Sequence, residues 1–322
     1  MNDTEVDPRK YIIKALDDKP LDDENEAVNK YMREIIPFEE YVGVVKIGKR
    51  AFTKLGPRIV KEIQKLDFDI FLDLKFNDIP ETVKSAVYEA TCLDVQIINV
   101  HAMGGTVMME YAVAGREEAL KDHPELSRPL LIAVTVLTSW TQKRINEELL
   151  IPGTINEIAE HFAIMAKNCG FDGIVCSENE LQFMQSRCQL PKNFIYITPA
   201  IRPSWYQDKN DDQGRTATPE EAIKNGTSAM VMGRPLATIE AAKKTFTEVK
   251  AALIAKEAYI DWNNNKEEKI LGALIYGLCA PLYELFIIKL TNINLIYNSF
   301  KYKIISKQNE NSNSWRFWYH YT

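Results

Sequence analysis

The run Ile70-Phe71-Leu72-Asp73-Leu74-Lys75-Phe76-Asn77-Asp78-Ile79-Pro80 begins as an apolar strand and ends in charge. Strand side chains alternate with period 2, so Phe71, Asp73 and Lys75 share one face. A carboxylate and an ammonium on the same face of a buried strand must pair, and charged strand ends are where an α/β barrel keeps its chemistry. Asp78 follows in the loop, where an ordinary helix cap is the plainer role. Lys46, in Val45-Lys46-Ile47-Gly48, stands among apolar neighbours and so calls for a carboxylate partner. Asp17 ends the preceding strand after Ala15-Leu16. Singly, each of these charges reads as a solvated loop residue. Delivered to one rim by three consecutive strands, Asp17, Lys46, Asp73 and Lys75 read as a site.

The opposite rim offers anion chemistry. Met230-Val231-Met232-Gly233-Arg234-Pro235 ends a strand in a glycine, which lets backbone N–H groups approach an anion, and an arginine, which supplies a fork of donors. Barrels frequently bind phosphate in the loops after strands seven and eight. The seventh strand ends Ile197-Thr198-Pro199-Ala200-Ile201-Arg202-Pro203, and the long polar loop 204–216 after it has the length of a lid, with Gln213 and Arg215 as its ligand contacts. Val136-Leu137-Thr138-Ser139 places hydroxyls at the same mouth. His101 has no partner at ligand or base spacing and reads as a structural, hydrogen-bonding histidine.

These residues need a scaffold that sends many strand ends to one place. Ile/Val-rich strands are expected at 11–16, 42–47, 69–74, 95–101, 130–135, 173–176, 194–198 and 229–232, with helices at 23–34, 50–66, 78–91, 105–120, 156–169, 178–186, 219–225 and 239–255. Thr218-Pro219-Glu220-Glu221 is a helix start with a Thr cap, Pro in the first turn and Glu at N3. Eight strand–helix units predict an α/β fold, a (β/α)8 TIM barrel; an open doubly wound sheet lacks its G-x-G-x-x-G turn here. The chain of 322 residues exceeds the about 250 of such a barrel, so a barrel domain at 1–255 and a C-terminal extension at 256–322 are expected. The extension starts with a polar linker, 261–268, and its apolar part, 270–290, is interrupted by Pro281, Glu284 and Lys289 before reaching the about 20 residues of a membrane span.

A net charge of −6 does not favour nucleic acid or an anionic membrane as partner. The five cysteines are scattered and never form C-x-x-C, which fits a reduced, cytoplasmic chain without a zinc site. Without metal spacing, a nucleophile–base pair or a dinucleotide turn, three chemistries remain: Schiff-base aldol chemistry, sugar-phosphate isomerisation and cofactor-free decarboxylation. Schiff-base chemistry needs a lysine of depressed pKa. Asp73 and Asp78 on either side of Lys75 would hold it as an ammonium, which suits stabilising and protonating a carbanion.

The block Asp73-Leu74-Lys75-Phe76-Asn77-Asp78-Ile79-Pro80-Glu81-Thr82 resembles the signature of the orotidine 5′-monophosphate decarboxylase family. Ala15-Leu16-Asp17, Lys46-Ile47-Gly48, Asn99-Val100-His101-Ala102, Val136-Leu137-Thr138-Ser139, Thr198-Pro199 with Arg202, Asp212-Gln213 and Gly233-Arg234-Pro235 follow in family order. The resemblance implies a cofactor-free, metal-free homodimer that converts orotidine 5′-monophosphate (OMP) to uridine 5′-monophosphate (UMP). It implies Lys75 as proton donor to C6 and Asp73 beside the departing carboxylate, with Asp78 and Thr82 contributed by the partner subunit. Lys46 and Asp17 would contact ribose and complete the charge network. Thr138 would touch the pyrimidine, Gln213 would bridge base and phosphate, and Arg202, Gly233 and Arg234 would hold the phosphate. Two positions depart from the pattern: Ala200 stands where the family has Gly, and Gly214 follows Gln213 where the family has Arg. The alternatives are a related 3-keto sugar-phosphate decarboxylase, which typically adds Mg²⁺ ligands, and a weakened barrel retained for nucleotide binding.

Overall fold

Short β-branched runs that alternate with helical stretches can bury both faces of each strand only if the helices wrap a parallel sheet. In the computed structural model of the chain, which describes residues 6–185, 187, 190–206 and 216–275, this sheet closes on itself. The strands are β1 (Ile12–Leu16), β2 (Val44–Gly48), β3 (Asp69–Phe76), β4 (Ile97–His101), β5 (Leu130–Val134), β6 (Gly173–Val175), β7 (Ile195–Pro199) and β8 (Ala229–Met232). They pair in parallel in sequence order, and β8 returns to β1 with Ile12 opposite Met230. The helices are α1 (Glu24–Ile35), α2 (Lys49–Leu55), α3 (Pro57–Ile63), α4 (Pro80–Cys92), α5 (Gly105–Asp122), α6 (Ile155–Asn168), α7 (Glu178–Gln185), α8 (Pro219–Lys224) and α9 (Ile239–Ile275). The expected (β/α)8 TIM barrel is the observed fold.

Period-2 alternation divides the core into two layers. Ile13, Val44, Phe71, Ile97, Ile132, Ile197 and Ala229 fill the barrel, while Ile12, Leu16, Leu72, Ile98 and Met230 face the helices. Fully burying an Ile, Leu or Phe side chain contributes about 1.5–3 kcal/mol, so the inner layer is a packed plug and not a channel. Above this plug, the C-terminal strand ends carry the charges of the rim.

Two expectations fail at particular residues. The helix expected at 50–66 is two helices: Gly56 adopts φ +55 and ends α2, and Pro57, which has no N–H to donate, starts α3. The stretch 261–268, expected as a linker, lies within α9. From Ile239 to Leu271 the sequence contains neither Gly nor Pro, and Lys and Glu are good helix formers. The Thr218 helix start forms a full capping box with Glu221.

The chain divides into two compact units, 1–257 and 258–322. Of the second, the structure describes only the backbone of α9 up to Ile275. Among the described residues no helix is long and apolar enough to cross a membrane; most of the 270–290 segment lies outside them.

Candidate active site

The end of β3 is where the sheet gives up regularity. Lys75 has φ +50, a left-handed conformation that costs an L-residue roughly 1–2 kcal/mol, and the β3–β4 register shifts between Leu72 and Phe76. The backbone N–H of Lys75 donates to Asn99 Oδ1 at 2.8 Å, which holds the strained residue in place. Its Nζ lies 2.5 Å from Asp73 Oδ1.

The four charges expected at this rim form one continuous array. Lys46 Nζ donates to Asp73 Oδ2 at 2.8 Å and to Asp17 Oδ1 at 3.2 Å, so anion and cation alternate as Asp17, Lys46, Asp73, Lys75. Asp73 and Lys46 are only 5% and 8% exposed, which makes this pairing obligatory. Burial alone would push the Asp73 carboxyl up, but the Lys46 and Lys75 ammoniums with their hydrogen bonds outweigh it and hold Asp73 below its ordinary pKa. Burial likewise opposes the charge on Lys46, and Asp73 and Asp17 reverse that, raising its pKa. Both groups are therefore ionised at neutral pH.

Three further residues support the array. Asn99, fully buried on β4, donates its amide to Asp73 Oδ1 at 2.6 Å. Its signal in the sequence was a lone amide inside the apolar run Ile97-Ile98-Asn99-Val100, a position that must find partners. Gly48 ends β2 where a Cβ would lie 2.9 Å from Asp17 Oδ1 and 3.4 Å from Lys46 Nζ, so any larger residue displaces the first ion pair. His101 makes no side-chain hydrogen bond among the described residues, contrary to the expectation of a bonded histidine. Burial, then the Lys75 and Lys49 charges, pull its pKa down to about 4, so it faces the ammonium as a neutral imidazole.

The array lines a cavity of about 1150 Å³, and Thr138, Ala200, Arg202, Gly233 and Arg234 are among the other residues that line it. Ala200 has φ +62, a left-handed conformation that glycine adopts more readily than alanine. Just beyond it, Ile201 pairs with Ala217, and the Arg202 N–H donates to the Ala217 carbonyl at 2.8 Å, pinning the two ends of the 204–216 loop together. Gln213, Gly214 and Arg215 lie outside the described residues.

Asp78 and Thr82 are exposed and do not line the cavity. The Asp78 carboxylate accepts the Ile79 N–H at 2.7 Å and, among the described residues of one chain, forms no ion pair with the Lys75 it was expected to flank; the residue that shares Asp73 with Lys75 is Lys46. Asp78 sits two residues before α4, which begins at Pro80. Among the described residues no group of three or more His, Cys, Asp or Glu side chains could hold a metal ion.

The sequence model of the orotidine 5′-phosphate decarboxylase / HUMPS family matches residues 11–249, which spans all eight strands and the whole array. The chain belongs to this family. Among family relatives, the orotidine 5′-phosphate decarboxylase of Legionella pneumophila (strain Lens) is 44% identical over 192 residues, 60% of this chain and 80% of the relative. That of Syntrophotalea carbinolica is 38% identical over 255 residues, 77% of this chain and 98% of the relative. The crystal structure of orotidine 5′-phosphate decarboxylase from Lactobacillus acidophilus superposes with a TM-score of 0.61 at 31% identity, covering 76% of this chain and 98% of that one. The family match ends inside α9, so residues 250–322 lie beyond it.

Proposed function

We propose that the chain decarboxylates OMP to UMP and carbon dioxide, the last step of de novo UMP synthesis, without a cofactor. The observation that carries the reading is the alternating Asp17–Lys46–Asp73–Lys75 array lining a cavity that Arg202, Gly233 and Arg234 also line. The names of the relatives point the same way.

In the proposed reaction the C6–carboxylate bond breaks, carbon dioxide leaves, and the electron pair stays on C6. The Lys75 ammonium, beside the vacated position, stabilises that pair and donates a proton to it, and water later reprotonates the amine. No oxidant or reductant is needed. Asp73 lies beside the substrate carboxylate. Two unit charges 4 Å apart interact by about 4 kcal/mol at an effective dielectric of 20, so a second anion next to Asp73 is relieved when carbon dioxide leaves. Lys46 and Asp17 hold the ribose hydroxyls and keep Asp73 ionised. Thr138 contacts the pyrimidine, Gln213 reaches base and phosphate from the lid, and Arg202, Gly233 and Arg234 take the phosphate. Binding the phosphate far from C6 supplies energy for closing the lid over the reacting carbon.

The active form is a homodimer in which Asp78 and Thr82 complete the partner's site. Ile79, Met103 and Val107 are 67%, 37% and 57% exposed at or just before the starts of α4 and α5, apolar side chains that a second copy would cover. The barrel domain, 1–255, carries the activity, and truncation before the 256–322 extension tests what that segment adds. Cys92, Cys169 and Cys176 are free thiols, in keeping with a cytoplasmic enzyme. The decisive assay mixes purified protein with OMP and follows the near-ultraviolet absorbance as UMP forms. Unchanged absorbance, with turnover of a 3-keto sugar acid phosphate instead, would replace this reading by the related sugar-phosphate decarboxylation.

A further inference from the structure

Lys14 is a buried charge that the proposed reaction does not use. Its neighbours on β1 fix its direction: Ile13 packs inside the barrel and Ile12 and Leu16 pack outside, so Lys14 projects outward, between the sheet and the helices. It is 8% exposed and forms no ion pair among the described residues. Its Nζ donates to the Leu236 carbonyl at 2.7 Å and lies 4.2 Å from the centroid of the Phe38 ring. Burial pushes its pKa down, and the charges of Asp18 and Glu34 only partly offset this. An aliphatic side chain would fill the same space without desolvating an ammonium. The charge is therefore tied to what it holds.

What it holds is the turn after β8. Gly233 leads into the single 3₁₀ turn Arg234–Leu236, whose own hydrogen bonds, Leu236 N–H to Gly233 and Ala237 N–H to Arg234, leave the Leu236 carbonyl at its end. Helical ends need an outside partner for such carbonyls. The Lys14 backbone pairs with Met232 on β8 and its side chain reaches the far end of the turn, so the segment bearing Gly233 and Arg234 is fastened to β1 at both ends. Phe38 fixes the ammonium from the other side, and both residues form cavity wall behind the turn.

We infer that Lys14 is a positioning residue for the phosphate end of the substrate, setting through Leu236 where Gly233 and Arg234 present their donors to the cavity. The inference rests on the phosphate assignment made above. Its test compares the Kd of UMP with the Kd of uridine, which lacks the phosphate. In Lys14→Met the Kd of UMP rises about tenfold, equivalent to about 1.4 kcal/mol, while that of uridine is unchanged. Lys14→Arg, which retains a cationic donor for Leu236, recovers most of the loss. An equal loss for both ligands, or a lowered melting temperature with both affinities intact, would reduce Lys14 to a fold residue and overturn the inference. Wild-type protein that binds UMP no better than uridine would overturn the phosphate assignment, and this inference with it. Should Lys14→Met fail to fold, Phe38→Leu, which removes only the ring beside the ammonium, is read by the same UMP-to-uridine ratio: a selective loss supports the inference and an equal loss overturns it.

Discussion

Asn99 donates its side-chain amide to Asp73 Oδ1, the same oxygen that Lys75 Nζ engages, and accepts the backbone N–H of Lys75 on its carbonyl. One neutral residue thus orients two charged groups of the array. Asn99→Leu leaves the Lys75 N–H without its acceptor and Asp73 short of a donor. The expected result is a loss of about 1–3 kcal/mol in urea unfolding and a fall in kcat of about a hundredfold, larger than the change in KM. A variant of unchanged kcat would show that the ion pairs orient Lys75 unaided.

Lys75 separates activity from stability. On the proposed mechanism Lys75→Ala is expected to abolish decarboxylation while UMP still binds, because it removes the proposed proton donor and leaves the proposed phosphate contacts in place. Its φ of +50 also means that glycine suits the backbone better than lysine or alanine. Lys75→Gly is therefore expected to be equally inactive yet about 1 kcal/mol more stable than Lys75→Ala, read by denaturant midpoints.

Ala200 carries the same kind of strain just before the 204–216 loop, with φ +62. Ala200→Gly removes it at the cost of a more flexible unfolded chain, for a net gain of about 0.5 kcal/mol. Ala200→Val, branched at the Cβ, loses more than about 1 kcal/mol at the same position. Thermal unfolding of the pair gives the sign directly, and a Val variant as stable as wild type would refute the strained backbone.

His101 sets a pH window for stability. Its native pKa is lowered to about 4, by burial first and then by Lys75 and Lys49, whereas an unfolded histidine takes its proton near 6.5. Between those values the unfolded chain binds a proton that the native chain does not. Stability from this residue is complete above pH 6.5 and declines as pH falls toward about 4. Asp73 adds to the acid limb with the depressed-carboxylate sign: its contribution is present above the ordinary carboxylate pKa and is lost as pH drops through its lower native value. His101→Gln should flatten the stability profile between pH 4 and 6.5 and leave it unchanged above; an identical slope in variant and wild type would rule the histidine out.

Asp78 tests the dimer. If it serves the partner's cavity, Lys75→Ala and Asp78→Ala homodimers are each inactive, and mixing them after dissociation regenerates one intact site in each heterodimer. Recovery of about a quarter of wild-type activity is expected from random mixing. Recovery of none would place Asp78 in its own chain's chemistry. Truncation after residue 257 should leave activity and this exchange unaltered.

The sequence alone determined the barrel and most of its charged rim. Eight apolar runs separated by helical periods admit few other layerings, and β8 is found at the expected 229–232 because nothing interrupts its short Ala-Met-Val-Met run. Asp17, Lys46, Asp73 and Lys75 were legible because charge at the end of an apolar strand has a local cost visible in one dimension. Tertiary structure decided what depends on neighbours far along the chain. The left-handed turn at Lys75, the expected end of β3 at Leu74 moving to Phe76, and the tie to Asn99 all arise from register with β4. The grip of Lys14 on Leu236 spans 222 residues and has no local signature. The exposure of Asp78, whose carboxylate accepts the Ile79 N–H, is a property of the folded loop that the spacing of carboxylates around Lys75 could not reveal. Residue type reports the cost of burying a group; only the fold specifies which partner meets that cost.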